Sequence, residues 1–256
     1  MFPKLLSIGN LTIHTYGLFV AIGAVLGFNL VLKHAKYRNL SNDFMNNLFL
    51  GMIFSGFIGA RIMYVMYEFD QYRTDLIKTL MFWEGGLVFL GGLLGGGFWV
   101  LIWCKKTGVS FWDVADVLSV GLAFAHAMGR IGCFFAGCCY GRPADMFFCI
   151  TFNKPSSLAF PLGTPLHPTQ IYSAGFLLLL SFILSNKLKK KTAGSASVFG
   201  LYLAAYGLFR FFIEFFRGDY RGVQIAGVTV TQISAMLFFV LGLYLLGVSK
   251  VHPQND

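Results

Sequence analysis

The chain has 256 residues, 56% of them hydrophobic and only 12% charged, with a net charge of +9. A soluble domain carries about 25% charged residues, and a soluble fold of this length cannot hide so many apolar stretches. A nucleic-acid face is excluded as well, because the basic residues sit between apolar runs instead of gathering with aromatics on a solvated surface; they read as topology signals and lipid-headgroup contacts.

In chain order, seven membrane spans are predicted at about 11–32, 45–67, 86–104, 114–137, 169–186, 196–216 and 229–249. Each is long enough for a hydrocarbon core of about 30 Å at 1.5 Å rise per residue. The first apolar run follows Lys4 and reads as a span, not a cleavable leader. The expected architecture is an all-α integral membrane protein, one polytopic domain over 1–256. Residues 138–167, with Pro143, Pro155, Pro161 and Pro165, are expected to form a small extramembrane head.

Basic residues orient this topology. Lys33, Lys36, Arg38, Lys105, Lys106, Lys187, Lys189, Lys190, Lys191 and Lys250 flank the spans on one side. Lys4, Arg73, Lys78, Arg142, Lys154, Arg217 and Arg221 are spread over longer, partly acidic loops on the other. The positive-inside rule puts the first set in the cytoplasm, the amino terminus outside and the carboxyl terminus inside.

Three arginines fall within apolar spans: Arg61, Arg130 and Arg210. A charge at mid-bilayer costs about 2.5–3.5 kcal/mol even on the lenient insertion scale. Each either snorkels to a span end or helps form a buried site for an anion, for which a planar guanidinium suits phosphate. The third span opens with Gly85-Gly86, Gly91-Gly92 and Gly95-Gly96-Gly97. Close helix packing accounts for this pattern; a backbone opening beside a ligand is the alternative.

The densest polar cluster runs from His126 to Pro143. His126 and Arg130 share a helix face four residues apart, and Cys133 follows on the same side. Gly137, Gly141 and Pro143 are expected to break the helix. Asp116, earlier on that span, needs a partner or a polar cavity. In a second cluster Tyr206, Arg210, Glu214 and Arg217 recur at helical spacing and predict one stripe. It is either a self-neutralising Arg210–Glu214 pair or a Glu214 that orients Arg210 or moves a proton. Cys133, Cys138 and Cys139 invite a thiol-redox or metal reading. Their spacing matches neither C-x-x-C nor the common zinc patterns, and adjacent Cys138 and Cys139 cannot face one site on a regular helix. Small residues at a helix break are the preferred reading, and no metal is expected.

Smaller pieces are His14-Thr15-Tyr16-Gly17, Gly59-Ala60-Arg61 with Tyr64, Glu84-Gly85-Gly86-Leu87-Val88-Phe89, His167-Pro168-Thr169-Gln170-Ile171-Tyr172 and Thr231-Gln232. Together and in this order they resemble the bacterial phosphatidylglycerol–prolipoprotein diacylglyceryl transferases over nearly the whole chain. The resemblance implies a seven-helix inner-membrane enzyme with a periplasmic head and no cofactor. It implies transfer of diacylglyceryl from phosphatidylglycerol to the lipobox cysteine of a prolipoprotein, giving a thioether and glycerol-1-phosphate. It puts the signature arginine on Arg130 and a second essential one on Arg210, and marks Tyr16, Asp116, Gly141 and Glu214. His126, Arg61, Tyr64 and Gln170 join these as expected substrate-binding residues.

Departures are Cys133 for asparagine, Cys138 for glutamate, Ser173 for the glutamate after HPTQIY, and Leu90 where a histidine base is common. Glu214, His126 and Tyr16 remain as candidates to take the thiol proton, with Glu214 preferred. A paralogue that binds anionic lipid without turning it over, or with another specificity, is the second reading. A thiol-redox membrane enzyme is the third.

Overall fold

The computed structural model describes residues 3–8, 11–73, 77, 79, 81, 85–190, 193–219, 224–225 and 227–251. Glu84 of the glycine-rich motif and three of the topology residues, Lys78, Lys191 and Arg221, lie outside them. The chain divides into two compact units, Arg38–Val114 and Met1–Tyr37 with Ala115–Asp256.

In the larger unit, strands β1 (Lys4–Ile8) and β2 (Leu11–His14) form a hairpin that leads into helix α1 (Thr15–Ala35). The first expected span therefore starts later than predicted, because residues 11–14 pair as a strand. In the smaller unit, α2 (Asn42–Tyr67) begins at Ser41, whose hydroxyl accepts from the Phe44 amide, the usual N-cap arrangement. A short α3 (Phe69–Tyr72) follows, and then α4 (Phe89–Thr107), which ends at Gly108 in the left-handed conformation. The glycines of α4 are packing glycines. A Cβ on Gly59 or Gly91 would strike the backbone carbonyl of the other, and one on Gly95 would strike that of Ser55. The two helices thus approach at backbone distance.

Helix α5 (Phe111–Ala136) runs into a nonhelical stretch holding strands β3 (Ile150–Thr151) and β4 (Pro165–Leu166). Phe152, Ala159 and Leu166 make a small core of its own there, with Tyr140 and Ile150 packed against it. Helices α6 (Thr169–Leu188) and α7 (Ser197–Ile213) follow. A hairpin of β5 (Gln224–Ile225) and β6 (Val228–Thr229) then turns into α8 (Val230–Val251).

Six helices are long and apolar enough to cross a bilayer: α1, α2, α5, α6, the α7 region and α8. Helix α4 occupies the third expected span, but its five glycines and Lys105-Lys106 dilute its apolar character. The protein is an all-α, multi-pass membrane protein. Many large apolar side chains remain exposed, Phe54, Phe98, Phe182 and Leu237 among them, as a lipid-facing surface requires.

In the larger unit α5 is the central element. Its Gly121 and Ala125 lie against Gly27 and Gly23 of α1, and the Val120 carbonyl accepts from Ser181 of α6 at 2.9 Å. Phe176 of α6 stacks on Phe209 of α7 at 4.0 Å. The amino-terminal ends of α1, α6 and α8 and the carboxyl-terminal ends of α5 and α7 carry the residues of the site.

Candidate active site

Helix α5 stops at Ala136 because Gly137 adopts φ 81° and donates its amide back to the Cys133 carbonyl at 2.9 Å, the glycine-terminated C-cap. The predicted break is therefore real. The regular helix on which Cys138 and Cys139 could not face one site is absent there. The chain has left the helix, Cys139 takes φ 63°, and the thiols of Cys133, Cys138 and Cys139 all lie within 4.8 Å of one another.

The backbone carrying them is pinned from α6. Thr169 Oγ1 donates to the Cys139 carbonyl at 2.7 Å and Gln170 Nε2 to the Cys138 carbonyl at 2.8 Å. Both side chains are fully buried. Gln170, expected to touch substrate, therefore holds the cysteine turn. The Cys139 thiol is held below the ordinary thiol range, first by hydrogen bonds from Cys133 and Cys138, and then by the charges of Arg217 and Arg130.

Arg130 lies one turn before Cys133. Its Nε donates to His126 Nε2 at 3.3 Å. An arginine only donates, so Nε2 is the acceptor and His126 is neutral, with its proton on Nδ1. The His126 ring meets Tyr206 of α7 edge-on, centroids 5.2 Å apart. On the same face of α7, Arg210 Nη1 lies 2.9 Å from Glu214 Oε2, both side chains nearly buried. Thr229 Oγ1 donates to Glu214 Oε1 at 3.1 Å. The charges of Arg130 and Arg210 both act on His126, and Arg210 feels that of Arg130.

Among the described residues no carboxylate sits against Arg130. The Arg210–Glu214 pair is neutral in itself, whereas the Arg130 charge has no carboxylate against it inside an apolar bundle, where a buried charge calls for an anion. Tyr16, half exposed at the start of α1, lies beside Gly132 and within electrostatic reach of Arg130 and the three cysteines.

The predicted stripe breaks at its last member. Helix α7 ends at Ile213, a 3-10 turn covers Glu214–Phe216, and Arg217 is extended (φ −77°, ψ 138°). It pairs with Asp219 through two bonds of 2.8 and 2.9 Å. Beside it, residues 140–142 cross between two other segments. The Gly141 amide donates to the His167 carbonyl at 2.9 Å, and the Arg142 amide to the Phe216 carbonyl at 2.8 Å. A Cβ on Gly141 would come within 2.5 Å of His167 Cβ and 2.8 Å of the Phe216 oxygen, so only glycine fits. A cavity of about 380 Å³ lined by Met146, Phe148, His167, Tyr172 and Phe216 opens here.

Asp116 lies away from this cluster, and Arg61 belongs to the smaller unit. Asp116 is about 21 Å along α5 from Arg130 at 1.5 Å per residue. Its fully buried carboxylate accepts the Val198 and Phe199 amides at 2.9 and 2.7 Å, capping an α7 whose own N-cap, Ala196, offers no side-chain acceptor. In the smaller unit, the Arg61 guanidinium donates to the carbonyls of Thr79, Met81, Gly85 and Gly86 at 2.7–3.2 Å. The rings of Tyr64 and Tyr72 lie 5.7 and 5.4 Å from it. Leu90, half exposed in the first turn of α4, offers no titratable group. The sequence reading quoted Thr169 only within its motif and missed Thr229 and Asp219; all three hold the site through hydrogen bonds or ion pairs that no spacing announces.

Fold and site define a polytopic membrane protein with a cationic, thiol-flanked cluster of side chains in its helix bundle. The family model for prolipoprotein diacylglyceryl transferase matches residues 3–248. A Clostridium tetani protein named phosphatidylglycerol–prolipoprotein diacylglyceryl transferase is 33% identical over 99% of this chain and all of its own length. A Clostridium botulinum protein of the same name is 34% identical over 96% of each chain. A Clostridium perfringens protein bearing that name with the number 2 is 31% identical over 96% of this chain and 95% of its own. This chain belongs to the prolipoprotein diacylglyceryl transferase family.

Proposed function

We propose that this chain transfers the diacylglyceryl group of phosphatidylglycerol to the thiol of a prolipoprotein lipobox cysteine, with Arg130 and Arg210 gripping the phosphate. The observation that carries the reading is the Arg130 guanidinium, with no carboxylate against it among the described residues, within electrostatic reach of an Arg210 that Glu214 already pairs. One phosphodiester monoanion restores the balance. As the glycerol carbon–oxygen bond breaks, glycerol-1-phosphate gains a second negative charge, which the same guanidiniums stabilise where it develops. The incoming sulfur attacks that carbon as the thiolate, because the thiol is the weak form.

The contacts divide the other residues by role. Glu214, engaged by Arg210 and Thr229, orients Arg210. His126 spends its lone pair on Arg130 and sets that side chain's direction. Tyr16 is left beside the phosphate and the incoming thiol. Gln170 and Gly141 shape the turn next to Arg130, Asp116 caps α7, and Arg61 with Tyr64 holds the loop before α4. The amino terminus faces outward across the bacterial inner membrane, the carboxyl terminus lies in the cytoplasm, and residues 138–167 face the periplasm.

The test is incubation of detergent-purified protein with phosphatidylglycerol and a lipobox peptide, with adducts read by mass spectrometry. A thioether-linked diacylglyceryl peptide that is absent with Arg130→Ala supports the reading. Bound lipid without adduct overturns it in favour of a non-catalytic binder.

A further inference from the structure

The remaining chemical question is how the incoming thiol becomes a thiolate. Glu214 and His126 are engaged, Leu90 offers nothing, and Tyr16 is a phenol, neutral near pH 7, which relays a proton but does not pull one from a thiol. What the site does contain is three thiols on one turn. We propose that Cys133, Cys138 and Cys139 form a trithiolate site for a borderline-soft divalent cation, Zn²⁺, whose open fourth position takes and activates the substrate cysteine.

The geometry fits the ion. Tetrahedral zinc with Zn–S bonds of about 2.3 Å sets its ligand sulfurs about 3.8 Å apart. The three sulfurs here already lie within 4.8 Å of one another. Thiolates select such a cation over Mg²⁺ or Ca²⁺, which take oxygen. Catalytic zinc keeps three protein ligands and one exchangeable position, whereas structural zinc closes all four, and three sulfurs match the first pattern. The turn is preorganised from outside the ligand set: Thr169 and Gln170, both fully buried, bond the carbonyls of Cys139 and Cys138. Outer partners of this kind fix ligand direction.

Charge and placement agree as well. Zn²⁺ with four thiolates carries −2, which Arg130 and the Asp219-paired Arg217, both acting on Cys139, offset only in part. Because Arg130 also faces the phosphate in the transferase reading, a thiolate on the metal would sit beside the carbon it attacks. The step balances. The substrate thiol binds the metal and gives its proton to water, through Tyr16 or directly. The sulfur then forms the C–S bond as the C–O bond to phosphate breaks. The neutral thioether, a weak ligand, leaves. The identity of the fourth ligand rests on the transferase reading; the metal rests on the thiol cluster alone.

The test is titration of Co²⁺ into reduced, metal-free, full-length protein in detergent, followed by thiolate-to-cobalt charge-transfer absorption and displacement by Zn²⁺. One cobalt per chain is expected in the unaltered protein and in Cys104→Ser and Cys149→Ser, whose thiols lie outside the cluster. The band is expected to be lost in Cys133→Ser, Cys138→Ser and Cys139→Ser. Gln170→Ala should weaken metal binding about 10–100-fold, the usual cost of losing an outer partner. A lipobox peptide should change the band, and its serine analogue should not.

A readout on the unaltered chain covers variants that fail to fold: Zn²⁺ should protect three of the five thiols from alkylation. No band, a band that survives all three substitutions or a disulfide within the cluster overturns the metal site, and full transfer by chelator-treated, zinc-free protein overturns its part in activating the substrate thiol. In that last case the transferase reading stands. A cobalt band that ignores the peptide, in a zinc-loaded protein that transfers nothing, upholds the metal and overturns the substrate as fourth ligand, and with it the transferase reading.

Discussion

Arg210 near the end of α7 and Glu214 in the 3-10 turn that follows form an ion pair of 2.9 Å, and Thr229 of β6, just before α8, fixes the far oxygen of the carboxylate. The pair neutralises itself and at the same time aims the guanidinium. Glu214→Gln keeps an acceptor for Thr229 but releases Arg210 from its charge partner. The site becomes more cationic, so phosphatidylglycerol should still bind. Misplacement of a positioning group by about 1 Å costs on the order of 10²-fold in rate, so kcat should fall by about that factor with little rise in KM. Transfer kinetics on a lipobox peptide check this, and an unchanged kcat would remove the orienting role.

Replacing the guanidiniums themselves separates charge from shape. Arg130→Ala and Arg210→Ala each remove a donor that the proposed mechanism aims at the departing phosphate, and transfer should drop by about 10²–10³-fold, as for loss of one oxyanion donor. Arg130→Lys keeps the charge but not the planar fork that meets both His126 and a phosphate. It should recover lipid binding before it recovers turnover. Full activity in both alanine variants would exclude phosphate clamping by these residues.

The apolar runs announced most of the fold, and Gly137 announced the end of α5. Both signals are local, and local signals survive in a sequence. The thiol cluster was hidden because it depends on Cys139 holding φ 63°, a state chosen by bonds from Thr169 and Gln170 across the fold. Asp116 was expected to need a partner or a polar cavity, and which partner was out of sight for a similar reason. Its partners, the amides of Val198 and Phe199, lie 82 and 83 residues away, and a buried carboxylate on a membrane helix looks like a ligand site until that cap is found. Arg217 fell off its predicted stripe because helical periodicity cannot see α7 tighten into a 3-10 turn at Glu214.

The Asp116 cap predicts a stability phenotype. Loss of an N-cap acceptor costs about 0.5–2 kcal/mol, and two buried amides are stranded at once, so Asp116→Ala should fall at the upper end of that range. Thermal unfolding in detergent should show it. Asp116→Asn, whose amide oxygen still accepts, should recover part of the loss. Equal stability of the alanine variant and the unaltered protein would argue against a cap.

Arg61 makes the equivalent claim in the smaller unit. One guanidinium satisfies four carbonyls of residues 79–86, and no lysine can reach that many with a single ammonium. Both Arg61→Ala and Arg61→Lys should expose this loop to limited proteolysis, the alanine variant more so. Cleavage sites are read by mass spectrometry of the fragments. A loop equally resistant in both variants would show that Arg61 does not hold it.

Gly141 is a tightly constrained position in the site. Its amide reaches His167, the neighbouring Arg142 amide reaches Phe216, and there is no room for a methyl group between the two segments. The nearest obstacles include the backbone oxygens of His167 and Phe216, which cannot rotate away like a side chain. Gly141→Ala should therefore push residues 140–142 off both neighbours, at about 1–3 kcal/mol for an overpacked site, and carry the cysteine turn with them. Lower unfolding temperature and lost transfer should appear together, along with faster alkylation of Cys138 and Cys139. Alanine tolerated with all three unchanged would mean that the crossing is looser than these distances require.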